Sequence, residues 1–209
     1  MRHFKNTLKT FLVVIVFTVT TNAFALPFSQ GKEFAHAIVR IEAGSGAGTG
    51  FFVEPGYLVT NEHVVGEVKV VNVYTEDGRV YAGKVEKVNK DLDLALVRVP
   101  NIGNHRFLQP SQKQVDIGFT IRTIAHTFGL PKSYGEGKVI GLLSHELDMP
   151  MEDIIFFSAP VSFGASGSPL LDEDFKVVGV VVAIVSESDF ALAIPLPELI
   201  KFLEGNDVQ

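Results

Sequence analysis

Cysteine is absent from this 209-residue chain, so disulfides, thiol nucleophiles and thiolate-bound metals are all excluded. Basic charge is also scarce: 18 Lys and Arg face 24 Asp and Glu, for a net charge of −6. A nucleic-acid binder needs a positive stripe, which this balance does not supply. The apolar run "FLVVIVFTV" falls well short of the roughly 20 residues that cross a bilayer. His36, His105, His126 and His145 show no paired spacing of the kind that ligates zinc, so neither a metal nor a cofactor is expected. The glycine-rich "GSGAGTG" at 44 to 50 lacks the Lys-Ser/Thr that ends a phosphate-binding loop, and it runs into the strand-like "FFVEPGYLVT" instead of opening a helix. Nucleotide binding is excluded on that ground, and these glycines read as places where the backbone bends or approaches another strand closely. No internal repeat or low-complexity tract is visible.

What is present begins with an export signal. Arg2, Lys5 and Lys9 precede the apolar run, and "AFA" follows at 23 to 25, the layout of a secretory signal peptide. Cleavage is expected after Ala25, leaving residues 26–209 as one domain in a periplasm or the medium, free of the membrane. The leader carries three basic residues and no acidic one, so its loss moves the net charge to −9. The mature chain is long enough to bury a full core without disulfides.

Strand-like runs dominate the remainder. In the first half they are "HAIVRIEAG", "TGFFVE", "YLVTNEHVV", "KVVNVYT", "RVYAGKVEKV" and "LDLALVRV", with a hairpin turn at Asp77-Gly78. After the polar stretch "PNIGNHRFLQPSQKQVDIG" come "FTIRTIAHT", "GKVIGLLSH", "DIIFFSAP", "SPLLDE", "KVVGVVVAIVS" and "FALAIPL". Short strands at this spacing make an all-β sandwich or barrel, and two sets of six suggest two barrels, with a single large sandwich as the alternative. The tail "PLPELIKFL" predicts a short amphipathic helix, with Leu199, Ile200, Phe202 and Leu203 available to pack.

Three positions could carry chemistry together. His63 in "TNEHVV", taken alone, reads as an ordinary packed histidine. Asp93 leads into the apolar run "LALV", where a carboxylate is costly unless something pairs with it, and a neutral histidine with a free N–H is such a partner. Ser166 lies between Gly164 and Gly167 in "PVSFGASGSPLLD". If the chain turns sharply there, the backbone N–H groups of Gly164 and Ser166 can point at one developing oxyanion. His63 would then act as general base toward Ser166, and Asp93 would hold the imidazole tautomer. The chain order His, Asp, Ser is one of the known arrangements of such a triad.

"TNEHVV", "DLDLALVRV" and "GASGSPLL" together resemble the three signatures of trypsin-like serine proteases, in the flavour of the bacterial HtrA-like branch. "GTGFFV", "TFGL" and "ALAIPL" extend the resemblance over nearly all of residues 36–203. It implies an all-β, chymotrypsin-like pair of six-stranded antiparallel Greek-key barrels. The first would span about 36–103 and the second about 117–196, with a C-terminal helix at about 197–204. His63 and Asp93 would come from the first barrel and Ser166 from the second. The implied activity is that of an exported serine endopeptidase working through an acyl-enzyme. A catalytically weak or inactive protease-fold protein that grips peptides in a chaperone-like way is the alternative.

The chain departs from the family pattern at several places. Ala165 stands where the animal digestive enzymes carry an aspartate that pairs with a newly cut N-terminus, so that route of activation is not expected. Val182 stands where the family often places a hydroxyl close to the triad aspartate, which would leave Asp93 one hydrogen bond short. Asp91, a competitor of Asp93, reads as a solvated turn residue, and Ser158, Ser162 and Ser168 as structural or cleft-lining. His126 in "IAHTFGL" reads as a surface residue, with a place near the cleft as the alternative. Pro160 would sit at the base of the specificity pocket, with no carboxylate there to receive Lys or Arg. Val182, Ala183 and Ile184 would form the strand edge that pairs with a polypeptide substrate, and Ile184 would narrow the pocket mouth. Small or medium aliphatic residues are thus expected at the cleaved position. With about a dozen residues after "ALAIPL", a PDZ domain is not expected. Phe28 and Phe34 could hold a homotrimer as aromatic N-terminal segments do in the family, but packing on their own barrel, and hence a monomer, is the default.

Overall fold

A computed structural model describes residues 31–129, 132–144, 154–185 and 189–205. The leader, Phe28, Leu130 of "TFGL" and His145 lie outside the described residues. Twelve strands close into two barrels of six, each antiparallel throughout. The first contains β1 (Ile38–Ala43), β2 (Gly46–Glu54), β3 (Tyr57–Thr60), β4 (Val70–Tyr74), β5 (Val80–Asn89) and β6 (Leu94–Arg98), in the order β1-β2-β3-β6-β5-β4. The second contains β7 (Thr120–Ala125), β8 (Ser133–Leu143), β9 (Ile154–Ser158), β10 (Pro169–Leu171), β11 (Val177–Ile184) and β12 (Phe190–Pro195), in the order β10-β11-β12-β9-β8-β7. The expected double barrel is therefore the observed one, and the single sandwich is not.

Closure removes the free sheet edges, and alternation along the strands fills each barrel. Val39, Ile41, Phe52, Leu58, Val73 and Val97 pack inside the first. Ile121, Val139, Ile155, Phe157, Leu170 and Val181 pack inside the second. A third cluster joins the two, drawing Ile38, Phe51, Val59 and Leu94 from one barrel and Ile124, Ile154, Val180 and Ile194 from the other. The Asp77-Gly78 hairpin connects β4 to β5, with Gly78 at φ 80° and its N–H donated to Thr75 O at 3.0 Å.

Several elements differ from the sequence reading, β8 among them, since it starts at Ser133, four residues before "GKVIGLLSH". "YLVTNEHVV" is not one strand: β3 stops at Thr60, and Glu62–Val65 form a helical turn, α1, so His63 lies on a helix. The glycine-rich stretch is largely strand, since β2 already begins at Gly46. The C-terminal helix, α2 (Leu196–Glu204), starts one residue early and buries only Leu199 and Phe202, leaving Ile200 and Leu203 more than a third exposed. Phe34, within a helical turn at 31–35, stacks on Phe175 of the second barrel with ring centroids 4.9 Å apart. No helix among the described residues is long and apolar enough to cross a membrane.

Candidate active site

α1 has an unusual cap. Asn61 occupies the N-cap position, yet its side chain does not cap the helix. It turns away instead, and Nδ2 donates to the backbone carbonyl of Asp93 at 2.9 Å. The orphan N–H at the second helical position, that of His63, donates to Asp93 Oδ1 at 2.9 Å. The carboxylate at the head of β6 thus does the work of a helix cap. Its other oxygen, Oδ2, lies 2.7 Å from His63 Nδ1. Asp93 reaches both groups from a left-handed backbone conformation, φ 51°, which is costly for a non-glycine residue and is held by these bonds.

Both carboxylate oxygens of Asp93 are therefore engaged by His63 alone, and the hydroxyl missing at Val182 leaves neither of them bare. Val182 is instead nearly buried in the cluster between the barrels. Among the described residues, the buried side-chain oxygen that lacks a partner is Oδ1 of Asn61. With its Nδ1 proton given to Asp93, the His63 ring keeps a lone pair on Nε2, the form a general base requires. The hydrogen bond to Asp93 holds the His63 pKa above its ordinary value of 6.5, outweighing the opposing effect of burial. The pair is open on the histidine side, where the ring is 49% exposed against 19% for the aspartate. Asp91 is exposed in the preceding turn.

Ser166 belongs to a tight turn between β9 and β10. Ala165 N donates to Ser162 O and Ser168 N to Ala165 O, each at 2.9 Å, while Gly164 and Gly167 take φ values of 94° and 81°. Gly164 has no alternative, because a Cβ there would stand 2.3 Å from the carbonyl oxygen of His126. At Gly167 a Cβ would stand 2.2 Å from Thr49 O and 3.1 Å from Asn61 N. The serine turn is thereby pressed against the segment that enters α1, two residues before His63. Among the described residues, the N–H groups of Gly164 and Ser166 have no hydrogen-bond partner in the protein. Ala165 is fully buried in the second-barrel core and could not hold a charged residue without cost.

Thr49 is the residue that the sequence reading passed over. Fully buried on β2, it donates its hydroxyl to Gly164 O at 2.7 Å and its N–H to Ser166 O at 2.9 Å. His126, read from sequence as a surface residue, is half-buried beneath this turn and donates its N–H to Thr49 Oγ1 at 2.9 Å. Beside Gly164 a groove of about 220 Å³ opens between Arg40, Ala47 and Gly48 of the first barrel and His126, Phe128 and Phe163 of the second.

The residues read as substrate-binding fall in two places. β10 stops pairing with β11 at Val180, and the exchange of bonds between Val181 and residues 167 and 168 ends that side. Ala183 and Ile184 continue with β12 on one side only, opposite Leu192 and Ala191, past an irregularity at Val182. Pro160 borders a separate cavity together with Gly137, Lys138, Ile140 and Ser158, and two carboxylates, Glu136 and Asp189, share it. Ser168, fully buried with its hydroxyl 3.1 Å from that of Thr123, is structural as expected. No cluster of metal-binding side chains occurs among the described residues.

Similarity to known proteins agrees with this fold. A family model for the trypsin-like peptidase domain matches residues 48–180. A probable periplasmic serine endoprotease, DegP-like, from Chlamydia pneumoniae is 32% identical over 167 residues, covering 79% of this chain and 33% of that protein. Its counterpart in Chlamydia muridarum is 37% identical over 68% of this chain and 29% of its own length. The chain thus spans about a third of the length of these relatives. Among solved structures, the HtrA-type protease AlgW with a tripeptide superposes with a TM-score of 0.79 at 22% identity, covering 85% of this chain and 62% of that one. An M. tuberculosis protease in its active form gives 0.77 at 22% identity, covering 98% and 96%. With two closed barrels and a family match over most of its length, the chain belongs to the trypsin-like peptidase family, on its HtrA-like branch.

Proposed function

We propose that this protein is an exported serine endopeptidase. The observation that carries the reading is the 2.7 Å bond between His63 Nδ1 and Asp93 Oδ2, held at the seam where the Ser166 turn meets α1. In this reading His63 Nε2 takes the Ser166 hydroxyl proton as Oγ attacks the scissile carbonyl. The N–H groups of Gly164 and Ser166 receive the developing oxyanion. His63 then returns the proton to the leaving amine, and water hydrolyses the acyl-enzyme by the same steps in reverse roles. Asp93 stays ionised and stabilises the imidazolium.

A polypeptide substrate would add a strand along Ala183 and Ile184, whose outer side is free of β10. The preference for small or medium aliphatic residues at the cleaved position rests on the apolar character of Val182, Ala183 and Ile184 along that edge. Export, to a periplasm or the medium after cleavage at Ala25, rests on the layout of residues 1–25 and on the periplasmic naming of the chlamydial relatives. A monomer is the assembly proposed, since Phe34 is occupied on its own chain by Phe175.

The test is digestion of an unfolded polypeptide such as reduced casein, followed by sequencing of the new termini. Wild type is expected to cut after Ala, Val, Leu or Ile, with Ser166→Ala and His63→Ala inactive. Cleavage dominated by Lys, Arg, Glu or Phe overturns the specificity. A wild-type chain that binds the polypeptide without cutting it makes the protein a peptide-binding relative of the proteases.

A further inference from the structure

We infer that Thr49 is a positioning residue for the oxyanion site, acting from the opposite barrel on both proposed donors. The inference rests on the reading of Ser166 as the nucleophile. Each donor N–H belongs to a residue flanked by two peptide planes, and its aim is set by what holds those planes. In a trans peptide the C=O and N–H point in opposite directions, so a bond to one fixes the other. Ahead of Gly164, Phe163 O accepts the N–H of Phe128 at 2.8 Å; behind it, Gly164 O accepts the Thr49 hydroxyl at 2.7 Å. Ahead of Ser166, Ala165 O accepts the N–H of Ser168; behind it, Ser166 O accepts the N–H of Thr49, each at 2.9 Å. The planes that carry the two donor N–H groups are thus held by Phe128 and Ser168, and Thr49 holds the plane that follows each donor residue, fixing the donor residue from its other side.

The direction of the hydroxyl bond follows from its neighbours. His126 N–H occupies a lone pair of Thr49 Oγ1 at 2.9 Å, which leaves the single hydroxyl proton for Gly164 O. The Thr49 carbonyl in turn accepts the Thr60 hydroxyl at 2.7 Å, tying the clamp to β3 just before the segment that carries His63. Gly164 needs such a clamp more than other residues do, because at φ 94° without a side chain its neighbouring peptides rotate at little steric cost. Replacing the hydroxyl by a methyl group leaves both Gly164 O and His126 N–H without the partner they now have. The peptide plane behind Gly164 would then be held only by the bond of Ala165 N–H to Ser162 O, so Gly164, which joins that plane to the one carrying its own N–H, would be less firmly fixed and the donor less well aimed.

The experiment measures the second-order rate of Ser166 modification by a fluorophosphonate, from pH 5 to 9, for wild type, Thr49→Val and Thr49→Ser, with a melting curve for each. Thr49→Val is expected to react about 10²-fold more slowly than wild type, the scale of losing one oxyanion donor. Its acid limb should stay where the wild-type limb is, since the His63–Asp93 pair is untouched. Thr49→Ser, which keeps the hydroxyl, is expected within about threefold of wild type. Should Thr49→Val fail to fold, Thr49→Ala takes its place in the same comparison. A folded Thr49→Val or Thr49→Ala that reacts at the wild-type rate overturns the inference while leaving the nucleophile assignment standing. A shifted acid limb also overturns it, by placing the effect on His63. No reaction of wild type with the probe overturns both readings together.

Discussion

Asp93 performs two tasks with one carboxylate, and they can be separated by substitution. Oδ1 caps α1 through the His63 N–H, and Oδ2 orients the His63 ring. An asparagine at this position can still accept the capping bond, but its amide would face Nδ1 and favour the other tautomer. Asp93→Asn is expected to lower kcat/KM by about 10⁴-fold with little change in Tm. Asp93→Ala is expected to match that loss of activity and also to cost about 1 kcal/mol of stability through the lost cap, read by denaturant melts. The pH dependence follows from the raised His63 pKa. The base must be neutral to act, so activity falls as pH drops through a value above 6.5, and in Asp93→Asn that limb moves to lower pH. The proposed set of His63, Asp93 and Ser166 could be read from the sequence because their residue types and chain order are unusual together. Thr49 could not, because its role exists only through a hydrogen bond that spans 115 positions of sequence. The burial of His126 beneath the serine turn is hidden for the same reason: it depends on how Gly164 passes over its carbonyl.

Among the elements, strands were legible and short helices were not. Runs such as "KVVNVYT" and "RVYAGKVEKV" became β4 and β5 within one residue at either end, because their apolar content and the Asp77-Gly78 turn act locally. α1 has four residues, too few to show a helical period, and its apolar Val64 and Val65 read as a continuation of β3. Its conformation is set by the distant Asp93 carboxylate, which no local pattern announces. At the other end of the chain, α2 shows the expected apolar residues, but only one stripe of them meets the protein. Leu199 and Phe202 face the cluster between the barrels, and Lys87 lies over the Phe202 ring at 4.9 Å. Leu199→Ala is accordingly expected to cost about 3 kcal/mol in a denaturant melt, and Ile200→Ala less than about 1 kcal/mol. Equal costs would mean that the helix docks on a different face.

For the whole molecule, the arrangement in two barrels was readable from the count of strands on either side of one polar linker, whereas their contact was not. The cluster that draws on both barrels, with α2 across it, makes each barrel's interior depend on the other. Unfolding is therefore expected as one calorimetric transition whose van't Hoff and calorimetric enthalpies agree. Two resolved transitions would show barrels that fold independently. The same seam carries Thr49, the Ser166 turn and the entry to α1, so the proposed chemistry exists only when the barrels are docked. Catalysis at this seam requires that Ser166 be activated there. Its most direct test is the intact mass of the folded protein after treatment with a fluorophosphonate, alongside Ser166→Ala and denatured wild type. A single adduct on folded wild type, absent from the other two, is the result expected. An unmodified wild type, or an adduct that persists in Ser166→Ala, would contradict it.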